Sequence, residues 1–164
     1  PWETAPRDVE AIVVDPGRAF GTGGHATTRL CLQLLAELDR GSLLDIGCGS
    51  GVLSIAAVRL GFAPVTAVDS DPGALDATDR NASANGVELE LLLADALAEP
   101  LPGADLAVAN ISQDAVQRLA LRIDAPAIVA SGYLERDEPV LPGFRREARR
   151  TKGGWAADVF RREE

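Results

Sequence analysis

Short apolar runs alternate with helically spaced ones along most of this chain. Strand-like runs fall at 9–14 (VEAIVV), 42–46, 64–69 (PVTAVD), 88–93 (ELELLL), 105–109 (DLAVA) and 127–131 (AIVAS). Leu30, Cys31, Leu34, Leu35 and Leu38 recur on one helical face, which predicts a helix over about 26–39. A second helix is expected over 51–60, closed by Gly61. A third runs from Pro72 to about Asn85, with Asp71 as its N-cap and Gly86 as its stop. A fourth covers 113–123. Residues 134–142 read as weakly helical, limited by Pro139 and Pro142. The segments 144–151 and 155–161 predict a closing hairpin across Gly153-Gly154. Strands alternating with helices in this way imply βαβ units and a mostly parallel sheet.

Ligands in such sheets lie beyond the carboxyl ends of the strands. Asp45, Asp69 and Asn110 all fall at or just past a predicted strand end. The stretch from Leu43 to Ser54 reads LLDIGCGSGVLS, a strand that passes through a glycine turn into a helix. Such a turn brings bare backbone and a helix N-terminus against a ligand. A dinucleotide fingerprint requires G-x-G-x-x-G, but Val52 stands at its third glycine position. The pattern here is D-x-G-x-G-x-G, through Asp45, Gly47, Gly49 and Gly51. A carboxylate at Asp45 would repel a pyrophosphate and attract an ammonium, such as that of the methionine part of S-adenosyl-L-methionine. Asp69 closes the next strand, placed to accept two ribose hydroxyls. Asp95-Ala96 follows the third strand, where an acid and a backbone amide can meet an adenine edge. Asp71 is explained by helix capping.

The 164 residues suffice for one domain with a core, and an apolar fraction of 46% fits a globular protein. No apolar run approaches the roughly 20 residues that span a bilayer, and no secretory pattern opens the chain. Cys31 and Cys48 lie in apolar or glycine contexts, as expected of reduced thiols in a cytoplasm. The net charge of −9 argues against a nucleic-acid backbone and suits a basic protein partner. With no Met anywhere, the chain is expected to be part of a longer product that carries a further domain upstream.

With these features in place, the chain resembles the class I S-adenosylmethionine-dependent methyltransferases. More narrowly, it is similar to the PrmA type, which methylates amino groups of large-subunit ribosomal protein eleven. The resemblance rests on the glycine turn, on DPGRAFGTGGHATTRLCLQLL (Asp15 to Leu35) and on Val108-Ala109-Asn110-Ile111. It covers about residues 12–133. Gly24 and Ala26 depart from it, standing where the family often has Thr and Pro. Ser112-Gln113 departs likewise, where small apolar residues are usual. The resemblance implies a Rossmann-like, doubly wound α/β fold whose seven-stranded, mostly parallel sheet ends in an antiparallel strand. It divides the chain into a strand and cofactor-covering loop (1–24) and an S-adenosylmethionine-binding catalytic domain (25–164). Its cofactor contacts fall on Thr28, Gly47, Asp69 and Asn110. Phe20, Gly21, Thr22 and Gly23 correspond to a lid. With the rest of the turn and strand ends, the expected set adds Asp45, Cys48, Gly49, Gly51, Ser70, Asp95 and Ala96. Asn110 is the candidate catalytic residue, facing the acceptor amine, and the resemblance calls for no metal.

Methyl transfer from a sulfonium is an in-line displacement that needs alignment and exclusion of water, not a catalytic triad. Asn110 is followed by Ile-Ser, not by the Pro-Pro-aromatic of enzymes acting on adenine or glutamine amides. His25, the one histidine, and Thr27 read as helix-capping residues, and Cys48 as a turn filler. Arg145, Arg146, Arg149, Arg150 and Lys152 read as a solvated edge strand. A small-molecule methyltransferase and a non-catalytic S-adenosylmethionine-binding module remain alternatives on the same fold.

Overall fold

A computed structural model describes residues 11–15 and 23–163. The alternating runs become α1 (Ala26–Glu37), β1 (Leu43–Ile46), α2 (Val52–Leu60), β2 (Val65–Asp69), α3 (Pro72–Ala84), β3 (Glu90–Leu93), β4 (Leu106–Asn110), α4 (Gln113–Leu119), β5 (Ala127–Leu134), β6 (Phe144–Lys152) and β7 (Trp155–Arg162). The strands form one sheet in the order β3-β2-β1-β4-β5-β7-β6. β1 to β5 pair in parallel. β7 runs antiparallel to both β5 and β6. Strand order reverses beside β1, between β2 and β4, which opens a crevice at the carboxyl end of that strand.

Period-two alternation divides the sheet into two apolar layers. Leu43, Val65, Leu106, Val108, Val129 and Val159 pack under α1 and α2 with Leu30, Leu34, Leu35 and Leu53. Leu44, Ile46, Val68, Ala109, Ile128 and Phe160 face the other way, beneath Val116 and Leu119 of α4. Both faces of the central strands are therefore covered, which explains their unbroken apolar runs.

Two sequence expectations are corrected. Residues 11–14 are not a strand. The side chains of Asn81, on α3, and of Asn85, its C-cap, satisfy this segment instead. Asn85 accepts from Val13 N at 2.9 Å and donates to Val13 O at 2.7 Å. Asn81 treats Asp15 in the same way, at 3.0 and 2.9 Å. A side-chain amide presents the same donor and acceptor as a backbone unit, so no partner strand is required. Residues 9 and 10 of that expected strand lie outside the described residues. The segment 134–142 is not helical either. Two prolines remove its donors, and Arg149 holds it by bonds to Glu135 O and Asp137 O at 3.2 and 2.8 Å.

Candidate active site

The turn after β1 is pinned from below and from one side. Gly47 N and Cys48 N both donate to Val68 O of β2, at 2.8 and 3.0 Å. Thr78 Oγ1, on α3, donates to Gly49 O at 3.1 Å, and Asn81 Nδ2 donates to Ser50 O at 2.8 Å. Gly51 has φ +80°, and a Cβ there would lie 2.7 Å from Thr78 Cγ2. Both the backbone conformation and the space therefore demand glycine. Sequence reasoning missed the two α3 residues that hold the turn. No local sequence signal marks Thr78 and Asn81: both are polar, and the structure shows them buried on the face that carries Leu75 and Ala82.

Asp45 lies beneath the turn, 1% exposed, and Ser54 Oγ donates to its Oδ2 at 2.5 Å. Burial pushes its carboxyl up to about 6, against the opposing effect of the Ser54 hydrogen bonds, and Asp69 adds to the rise. Cys48 is also buried, 3.4 Å from Thr78 Oγ1, and burial pushes its thiol up to about 12. It is therefore a protonated turn filler and not a nucleophile. Asp69 is half-buried at the end of β2. Its Oδ2 accepts from Gly49 N and its Oδ1 from Asp71 N, both at 3.0 Å. These bonds fix the carboxylate at the rim while leaving lone pairs on both oxygens.

A cleft of about 550 Å³, counted with its open mouth, runs along the carboxyl ends of β1, β2 and β3. It brings together Gly47, Asp69, Ser70, Asp95 and Ala96 of the predicted set. Asp45, Cys48, Gly49 and Gly51 support the turn and do not line this cleft. Its apolar walls are Ile46, Val68, Leu97, Ile111 and Leu119, none of which the sequence reading placed at the site. Asp95 is exposed, and its Oδ1 accepts from Leu97 N at 2.9 Å.

A second cluster forms where β4 ends. Asn110 Nδ2 lies 3.5 Å from Thr28 Oγ1 on α1, which joins two sequence signatures 82 residues apart. Thr28 is buried and Asn110 half-buried. His25 caps α1: its Nδ1 accepts from Thr27 N at 3.3 Å and lies 2.8 Å from Thr27 Oγ1. Its ring meets Trp155 edge-on, with centroids 4.9 Å apart. Phe20, Gly21 and Thr22 lie outside the described residues, while Gly23 is described with φ +79° and ends near Val52. Among the described residues, no group of three or more His, Cys, Asp or Glu side chains is arranged to hold a metal ion. No helix among them is long and apolar enough to cross a membrane.

Comparison with known proteins gives the family. The sequence profile described as "Ribosomal protein L11 methyltransferase (PrmA)" matches residues 1–162. A ribosomal protein L11 methyltransferase of Pelobacter propionicus is 42% identical over 98% of this chain and 59% of its own length. One from Bordetella parapertussis is 45% identical over 92% of this chain and 52% of its own. The chain thus spans little more than half the length of these relatives. The crystal structure of a ribosomal protein L11 methylase from Lactobacillus delbrueckii superposes with a TM-score of 0.83 at 29% identity, covering 99% of this chain and 91% of that one. An rRNA methylase from Escherichia coli shares the fold at a TM-score of 0.63 and 24% identity, over 86% of this chain and 68% of its own. The chain therefore belongs to the PrmA family of ribosomal protein L11 methyltransferases.

Proposed function

We propose that this chain is an S-adenosylmethionine-dependent methyl-transfer domain that acts on protein amino groups, with a basic ribosomal protein as its substrate. The observation that carries this reading is the meeting of Asn110 with Thr28 at the end of β4, beside the cleft that holds Asp69 and Asp95. The cleft residues fit the cofactor. Apolar Ile46, Val68, Ile111 and Leu119 suit the faces of a purine, and Asp95 with the Ala96 amide suits its polar edge. Asp69, fixed at the rim, accepts the two ribose hydroxyls. Gly47 lets the cofactor approach the backbone. The charge of Asp45 acts on the amino-acid moiety from beneath the turn.

When bound, S-adenosyl-L-methionine supplies a methyl group on a sulfonium, with a neutral thioether as leaving group. The chain's own work is to align the acceptor and exclude water. Because the Asn110 Nδ2 points to Thr28, its Oδ1 is left to accept a hydrogen bond from the incoming amine. That bond aims the nitrogen lone pair at the methyl carbon. A lysine amine, with a free pKa of about 10.4, gives up its proton to solvent before attack. The chain's net charge of −9 favours encounter with a basic acceptor. Two buried free thiols, Cys31 and Cys48, suit a reducing cytoplasm.

The test is transfer of a labelled methyl group to ribosomal protein L11, comparing the wild type with Asn110→Ala. The reading expects label in the protein with the wild type and a loss of at least tenfold in the variant. Full activity in Asn110→Ala would overturn the role given to Asn110. Label confined to small amines would overturn the protein substrate.

A further inference from the structure

We propose that Lys152 is itself a methyl acceptor, so that the chain modifies its own β6–β7 hairpin. This rests on the amine-methylating reading above. The chain carries 16 basic residues, and Lys152 is the single lysine among them. Every other side-chain cation is a guanidinium, which stays protonated and is a poor nucleophile. Lys152 therefore offers the one side-chain amine in this sequence.

Its position suits the chemistry. β6 and β7 are joined by Gly153 and Gly154, both at positive φ (+59° and +82°), in a two-residue turn. Lys152 pairs directly with Trp155 across that turn, so the two side chains share a face. Trp155 packs against the layer covered by α1, and its ring meets His25, the cap of that helix. One turn further along α1 is Thr28, bonded to Asn110. The lysine thus lies on the α1 face of the sheet, at the end where the acceptor amine is expected.

Its neighbours on β6 are tied down. Arg150 is bound to Glu37 at 2.5 Å, and Arg149 to the buried Asp158 at 2.7 Å. Lys152 is exposed, and no described carboxylate pairs with it. Its amine is therefore open to solvent and to an approaching methyl donor. In the step, the neutral Nζ of Lys152 forms a bond to the methyl carbon as the carbon–sulfur bond breaks. The sulfur leaves as a neutral thioether, and the proton lost beforehand goes to water.

The experiment is peptide mass mapping after incubation with S-adenosyl-L-methionine, with ribosomal protein L11 as a parallel acceptor. The proposal expects the peptide holding Lys152 to gain the mass of one to three methyl groups. That gain should be absent from Lys152→Arg, which still methylates the ribosomal protein. It should also be absent from Asn110→Ala, which separates enzymatic transfer from chemical alkylation. An unmodified Lys152 in a sample that methylates the ribosomal protein overturns the proposal and leaves the assigned activity standing. Failure of both acceptors overturns the activity, and the proposal with it.

Discussion

Among the described glycines, Gly132 leaves the least room for a side chain, and replacing it with alanine should damage both fold and cleft. It sits at the irregularity in β5 between Ser131 and Tyr133, with φ +103°. A Cβ there would lie 1.8 Å from Ile111 O and 2.6 Å from Ile111 C. Ile111 N meanwhile donates to Ser131 O at 3.0 Å, so the loop after β4 is laid directly on β5. The unfavourable φ costs about 1–2 kcal/mol. Displacing packed backbone costs about 1–3 kcal/mol more. Gly132→Ala should therefore lose about 2–5 kcal/mol, a fall in Tm of roughly 5–20 °C for a domain of this size. Urea unfolding followed by circular dichroism measures this, read as a shift in midpoint at constant slope. Gly86→Ala is the control. Gly86 has φ +64° with nothing within 4 Å of its would-be Cβ, so only the backbone term applies. Because Ile111 lines the cleft and follows Asn110, Gly132→Ala should also weaken S-adenosylmethionine binding, whereas the control should not. Equal stabilities for the two variants, within about 0.5 kcal/mol, would refute the claim that β5 and the β4 loop are in enforced contact.

Two further outcomes follow from buried charge. Asp158 is fully buried, held bidentately by Arg149 at 2.7 and 2.9 Å and by Tyr133 Oη at 2.9 Å. Arg149→Ala strands that carboxylate and should cost about 3–5 kcal/mol by denaturant unfolding; a loss under about 1 kcal/mol would show that the pair is not structural. Asp45 titrates near 6 in the fold against 3.8 when free, so the native state holds the extra proton between those values. Its contribution is greatest below pH 3.8 and is lost as pH rises through about 6, a change of about 3 kcal/mol. Thermal unfolding from pH 4 to 7 should show this slope in the wild type and not in Asp45→Asn. The same slope in both would place the titration elsewhere.

Much of the fold was legible because periodicity and punctuation agree. Asp71-Pro72 opens α3 and Gly153-Gly154 turns the last hairpin, as their backbone preferences require. The antiparallel last strand followed from family resemblance, not from periodicity. The first strand was misread because the alternation in VEAIVV takes no account of a partner. Asn81 and Asn85, 66 to 72 residues away, supply one from side chains. That Gly47, Asp69 and Asp95 would gather along one cleft was legible from their places at strand ends. Thr78 and Asn81 were not, since nothing in local sequence tells a polar buttress from a solvated helix face. Gly132 was also invisible, because its requirement comes from Ile111 on another loop.

The central claim is that the cleft between the glycine turn and Asp95 binds S-adenosyl-L-methionine, with Asp69 on the ribose. Isothermal titration of S-adenosyl-L-methionine into the wild type and Asp69→Ala tests it most directly. The account predicts one site per chain in the wild type. It also predicts at least a tenfold loss of affinity in the variant, since each hydrogen bond to the carboxylate is worth about 1.5–3 kcal/mol. No binding to the wild type, tighter binding of NAD, or equal affinity for the two proteins would contradict it.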